Sequence, residues 1–194
     1  QGIHNLLREI HTNPDEWAEI ADEPEQVEEA IRDLVDRGLL YLRYTTGQPE
    51  EDMQGRAIEV TKRYVEEYVD ELANLEFEPE REFETLFDTE ELLVDGAIDL
   101  VRHQGGNRVT VLDFKSGDKD SELPEKLSED LMKLQLRIYA LAAKRELEWN
   151  PDEGLVRFLS EDDPDDRELR VALNESGLES AKETVQEAGR KIRE

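Results

Sequence analysis

The sequence predicts an α/β fold: a central mixed five-stranded sheet flanked by helices, preceded by an N-terminal helical region. Three observations predict it. Apolar residues recur at helical spacing through residues 1–76. Three strand-like runs then follow closely, REFETLF, LLVDGAIDLV and RVTVLDFKS, with polar turns between them. A helical stretch, two more strand-like runs and a last helix complete the chain, an order that closes as layers around one sheet. Residues 1–76 are thus expected to form a helical region and residues 77–194 the sheet-bearing core of one compact domain.

The first segment, GIHNLLREIH, puts Ile3, Leu6, Leu7 and Ile10 on one helical face. Residues 25–40 read as a second helix, with Val27, Ile31, Leu34 and Val35 inward and Gly38 near its end. Residues 46–52 are polar, contain Gly and Pro, and predict a turn. A third helix is expected over residues 53–75, with Ile58, Tyr64, Val65, Tyr68 and Val69 as its apolar contacts. Between the second and third strands, Gly105 and Gly106 suit a hairpin. Residues 128–147 predict a helix with Leu131, Leu134, Ile138 and Leu141 as its stripe. GLVRFLS and ELRVAL are strands joined by the acidic turn EDDPDD. The last helix carries Leu178, Ala181, Val185, Ala188 and Ile192 at spacings of three and four.

Charge is the most unusual bulk property. Asp and Glu number 51 against 24 Lys and Arg, a formal net charge of −27, and only eight of the cations are Lys. The acids are spread along the chain rather than gathered in a tail. Such dispersion with scarce Lys predicts a halophile's protein: in molar salt the Debye length is about 3 Å, so repulsion between surface carboxylates is screened. An ordinary acidic domain with solvated helix faces is the alternative. There is no cysteine, which excludes disulfides and thiolate metal sites and fits a cytoplasmic location. No signal peptide and no membrane-spanning apolar run occur, so no membrane partner is expected. Without a GxxxxGK[ST] loop the chain carries no such ATPase motor.

The chemistry-bearing pattern lies on the strand VTVLDFK. Asp113 and Lys115 stand two apart, and the strand period of two puts both on one face. Buried carboxylate and ammonium groups are each expensive to desolvate, so the pair needs a reason. Phosphodiester hydrolysis supplies one: the carboxylate holds a divalent metal, and the lysine orients the attacking water and offsets developing charge. Alone, the triplet is weak, since about two acid-x-Lys triplets are expected by chance from this composition. The preceding strand adds Asp99 in an apolar setting. If the two strands pair as a hairpin, Asp99 and Asp113 converge. The bland alternative is a structural ion pair at Asp113–Lys115 and a solvating strand-edge group at Asp99.

GAIDLV followed by VLDFKSG resembles the G-x-[IV]-D and D-[FY]-K-[ST]-G strands of RecB-family nucleases in the PD-(D/E)XK superfamily, as fused to UvrD-type helicases. The following helix reads LQLRIYALA, and Gln135 and Tyr139 resemble that family's Q-x-x-x-Y motif. Three motifs in order are far more specific than the triplet. The resemblance is close over residues 80–145 and looser toward the N-terminal helix. It implies a restriction-endonuclease-like core and Mg²⁺ or Mn²⁺ as cofactor. By the same resemblance Asp99 and Asp113 are metal ligands, with the backbone carbonyl of Phe114, and Lys115 is the catalytic lysine. Gln135 and Tyr139 then brace the site or touch the DNA backbone.

Helicase-fused members also carry a metal-binding histidine on an early helix, within G-x-x-x-H-x-x-[LF]. Here the spacing from His4 to Leu7 fits and that from Gly2 to His4 does not. His4 is the candidate ligand and His11, on the same helical face, its competitor. His103 is expected to be solvated in the turn after the Asp99 strand. The family's upstream acid is Glu84 or Glu82, with Glu84 preferred because it stands in E-x-x-F. Absence of cysteine places the chain with relatives that lack an iron–sulfur clamp.

The implied function is a metal-dependent deoxyribonuclease domain acting on DNA, single-stranded ends in particular. It is expected to be the C-terminal part of a helicase–nuclease of DNA repair or recombination, its start at Gln1 suggesting an excised fragment. The acidic surface conflicts with phosphate binding in dilute salt. Either the motor supplies the grip or Arg102, Arg108 and Arg137 do so locally. A non-catalytic nuclease-fold module that docks DNA or a partner protein, and a stand-alone nuclease, are the competing readings.

Overall fold

A computed structural model describes residues 3–40, 50–87, 92–116 and 125–193. Gly2, Gly117 and residues 46–49 of the expected turn lie outside the described residues. The chain divides into two compact units, residues 1–79 and 80–194.

The first unit is helical. It holds α1 (His4–Thr12), α2 (Pro14–Ile20), α3 (Pro24–Asp36), α4 (Glu50–Glu67) and α5 (Val69–Asn74). Leu6, Leu7 and Ile10 of α1 and Val27, Ile31 and Leu34 of α3 are buried, as their helical spacing predicts. Three features differ from expectation. Residues 14–20 form a helix of their own, started by Pro14 in its first turn, where a missing N–H costs nothing. The expected turn is already helical from Glu50. The expected long helix is interrupted at Tyr68, whose ψ of 20° ends one helix and starts the next.

The second unit contains the sheet, apart from the first residues of β1. Its strands are β1 (Phe77–Phe87), β2 (Leu92–His103), β3 (Arg108–Lys115), β4 (Asn150–Phe158) and β5 (Glu168–Ala172), in spatial order β1-β2-β3-β4-β5. β2 and β3 are an antiparallel hairpin, with Leu100 opposite Leu112 and Val101 opposite Val111. Gly105 and Gly106 turn it with φ of 97° and 63°, a region that side chains resist. β3 and β4 are parallel, so the chain must cross over between them, and α6 (Glu125–Glu146) makes the crossing. β4 and β5 are antiparallel, and α7 (Glu175–Arg193) closes the unit. Asn174 caps α7, its Oδ1 accepting from the Gly177 N–H at 2.8 Å.

This is the expected mixed five-stranded sheet with helices. β3, paired on both edges, is buried from Val109 to Phe114. Val109 and Val111 join Val156, Phe158, Leu136, Ala140, Leu178 and Ala181 in one apolar core. α6 lies close on β4: a Cβ at Gly154 would come within 3.1 Å of the Leu136 side chain. Three expected core positions are not in it. Leu131 is 49% exposed, and Ile192, in the last turn of α7, is 84% exposed. Ala188 is exposed as well. Among the described residues no helix is long and apolar enough to cross a membrane.

Candidate active site

β3 carries Asp113 and Lys115 at its carboxyl end, where ligands of parallel sheets bind. The strand period puts Asp113 on the same side as Val109 and Val111, toward α6. Burial leaves Asp113 only 2% exposed. Its partners answer the cost of that burial. The Lys115 ammonium lies 2.6 Å from Asp113 Oδ2. The side-chain amide of Gln135 on α6 donates to Asp113 Oδ1 at 2.8 Å.

Gln135 has a defined orientation because its neighbours carry opposite charge. Its Oε1 accepts from Lys115 Nζ at 3.1 Å, while its Nε2 faces Asp113. The reverse orientation would set oxygen against carboxylate and NH₂ against ammonium. Nε2 also donates to the Tyr139 hydroxyl at 2.7 Å, a contact that four-residue spacing on one helix allows. Burial pushes the Tyr139 phenol up from its ordinary range. The Gln135 bond opposes the shift, and the negative charges of Asp113 and Asp99 add to it. The phenol therefore stays protonated at any ordinary working pH.

Asp99 approaches from β2. The hairpin register continues from Leu100↔Leu112 to set it opposite Asp113. Asp99 Oδ2 accepts the Phe114 N–H at 2.8 Å, so the carboxylate is tied to β3 itself. The carboxyl end of β3 is held from its other edge too: Leu159 N–H donates to the Lys115 carbonyl at 2.8 Å and the Ser160 hydroxyl to the Ser116 carbonyl at 2.8 Å. Those two anchors were not foreseen, since neither residue type nor spacing in GLVRFLS marks them.

The structure thus brings Asp99, Asp113, Lys115, Gln135 and Tyr139 together. Glu82 and Glu84 stand on the exposed side of β1, between the buried Phe83, Thr85 and Phe87. His4 is half-buried on α1, in the first unit. His11 is buried and committed to packing: Nδ1 lies 2.7 Å from the Leu7 carbonyl and Nε2 3.1 Å from the Tyr64 hydroxyl. His103 is not solvated as expected. It ends β2 half-buried, edge-on to Trp149 with centroids 5.2 Å apart. Of the three arginines considered for phosphate contact, Arg102 is buried beside Thr110, 3.9 Å from Glu153. Arg137 is half-buried against the Gly177 turn of α7, and Arg108 is exposed.

A family model described as the PD-(D/E)XK nuclease superfamily matches residues 1–194. The chain belongs to this superfamily. The mixed five-stranded sheet flanked by helices fits a restriction-endonuclease-like α/β fold. No curated protein matches the chain. A solved structure titled "Crystal structure of SSO0001" is similar over 83% of this chain and 84% of that one, with 15% identity and a TM-score of 0.37.

Superfamily membership raises the question of a divalent metal, and the donors can be tested for it. Asp99 and Asp113 are oxygen donors held opposite one another on neighbouring strands. Hard divalent cations take such oxygens, and Mg²⁺ in particular binds one or two carboxylates and completes its shell with water and substrate phosphate. Among the described residues no group of three or more His, Asp or Glu side chains converges. Two carboxylates fit a site whose shell is completed by water and substrate phosphate.

Proposed function

We propose that this PD-(D/E)XK domain hydrolyses phosphodiester bonds of DNA with the help of Mg²⁺ or Mn²⁺. The observation that carries the reading is the single connected cluster Lys115–Asp113–Gln135–Tyr139, with Asp99 fixed beside it through Phe114. Asp99 and Asp113 would hold the ion, with the Phe114 carbonyl as a further oxygen. A bound divalent ion supplies Lewis acidity and a water of lowered pKa. Lys115 is the general base or the group that orients the water, and its charge offsets that of the phosphate. Gln135 braces both Lys115 and Asp113. Tyr139 accepts from Gln135 and keeps its own proton for a phosphate oxygen.

We assign the finer features on the resemblance to RecB-like relatives. His4 would contribute a nitrogen ligand and Glu84 the upstream acid. A helicase motor in the same polypeptide would deliver DNA ends for repair or recombination in the cytoplasm. The wide spread of acids supports a halophilic source. The competing reading is a non-catalytic nuclease-fold domain that docks DNA or a partner protein.

Cleavage of labelled single- and double-stranded DNA, with Mg²⁺, Mn²⁺ or EDTA, decides between the two. Cleavage that needs the ion and is lost in Asp113→Asn supports the nuclease. Binding without ion-dependent cleavage supports the docking module.

A further inference from the structure

At the other end of the sheet three side chains from separate elements meet. Arg81 of β1 lies over the Trp149 ring, its Cζ 5.7 Å from the centroid. His103, the last residue of β2, meets the same ring edge-on at 88°. Trp149 stands in the link between α6 and β4, and the next residue fixes that link to the hairpin: Asn150 N–H donates to the Asn107 carbonyl at 2.7 Å. β3 spans eight residues from this hairpin to Lys115, about 23 Å at ~3.3 Å per residue. The cluster is therefore separate from the carboxylate site.

The backbone at this cluster is strained. Among the described residues other than glycine, Glu80 and Glu148 have positive φ, 49° and 55°. Each directly precedes one member of the Arg81–Trp149 pair. At Glu148 the left-handed turn lets Trp149 N–H close α6 on the Ala143 carbonyl at 3.2 Å and lays the indole on the sheet end.

Charge narrows the ligand. In a chain with 51 acids, residues 100–112 of the hairpin contain none, yet carry the half-buried His103 and the exposed Arg108. Glu80, Glu82 and Glu148 flank Arg81 and Trp149 in sequence, so a duplex presenting only phosphates is disfavoured there. Unpaired bases can add stacking on an aromatic ring or guanidinium plane to whatever the phosphates contribute, which a duplex cannot.

We propose that Arg81, Trp149 and His103 form a stacking platform for unpaired bases of a single-stranded nucleic acid. The platform rests on the nucleic-acid reading above and adds a contact remote from the cleavage site. Arg81 is exposed, with its Cζ over the indole, so a base can stack against its guanidinium, and Arg108, opposite Asn150 in the β3–β4 register, is placed for the adjoining phosphate.

The test uses the full chain with Asp113→Asn to stop cleavage and labelled oligo-dT, oligo-rU and duplex of about fifteen nucleotides, read by anisotropy. Oligo-dT or oligo-rU is expected to bind more tightly than duplex, and the tighter of the two shows which strand chemistry is served. Arg81→Ala and Trp149→Leu are expected to weaken that binding about tenfold. Single-strand binding is also expected to weaken less than duplex binding as KCl rises, because screening acts on phosphate contacts and not on stacking. Should Trp149→Leu not fold, the exposed Arg81→Ala decides alone. Unchanged affinity in Arg81→Ala, or duplex bound as tightly as single strand, overturns the platform. If cleavage by the unmodified chain is absent while this binding holds, the nuclease reading fails and the platform stands.

Discussion

Gln135 on α6 and Asp113 on β3 meet through one hydrogen bond, Nε2 to Oδ1 at 2.8 Å, that joins the crossover helix to the most buried acid of the site. The same amide turns its oxygen to Lys115. One side chain thus braces both members of an acid–lysine pair that are already in direct contact at 2.6 Å.

Asp113→Asn and Lys115→Ala are each expected to lower ion-dependent DNA cleavage by ~100-fold or more, the usual scale for a positioned acid–base group. Both variants should keep the native circular dichroism spectrum, since Asn preserves the shape of Asp113 and Lys115 is half-exposed. Undiminished cleavage by either purified variant would remove that residue from the site.

Gln135→Ala is expected to cost about tenfold in kcat by freeing Lys115 and Asp113, with Tyr139→Phe costing less. Because both act through one contact, the double variant should lose less than the product of the singles, an interaction of about 0.5–3 kcal/mol. Burial, with the nearby carboxylates, raises the Tyr139 pKa, so the phenol is protonated and does not titrate in the working range. Tyr139→Phe should therefore leave the shape of the pH–rate profile unchanged. A shifted alkaline limb in that variant would show that the phenol ionises during turnover.

Thermal stability should rise as KCl goes from about 0.1 M toward molar concentration, because screening relieves repulsion across a surface of net charge −27. Melting curves across a KCl series measure it. A flat or falling midpoint would reject the halophilic reading.

His4→Ala is expected to weaken Mn²⁺ more than Mg²⁺, about tenfold against little change, because imidazole suits the softer ion. His11→Phe is expected to leave both affinities alone, since His11 is engaged by the Leu7 carbonyl and the Tyr64 hydroxyl. Calorimetric titration of each ion reads both. Equal Mn²⁺ affinity in His4→Ala and the unmodified chain excludes a nitrogen ligand there.

Much of the site was legible because its signals are local. Strand alternation set Asp113 and Lys115 on one face, and helical spacing set Gln135 under Tyr139. Each follows from backbone dihedrals within a few residues. The order of elements was legible for the same reason, since apolar period distinguishes helix from strand without knowledge of partners. The less local facts were misjudged. The interruption at Tyr68, the exposure of Leu131 and Ile192, and the contact of His103 with Trp149 depend on where a neighbouring element begins and ends.

By itself, then, the sequence determined the succession of helices and strands, the acid–lysine pair and the glutamine–tyrosine pair. Only the tertiary structure decided that Gln135 stands between Lys115 and Asp113, 20 and 22 residues away in the chain. It alone decided that Asp99 is fixed by the Phe114 N–H, that Arg102 is buried and that Arg81 lies over Trp149. The division has a physical cause. Periodicity is a property of one segment's dihedral angles, whereas these contacts depend on strand register and on the packing of α6 against β4, which many residues set together.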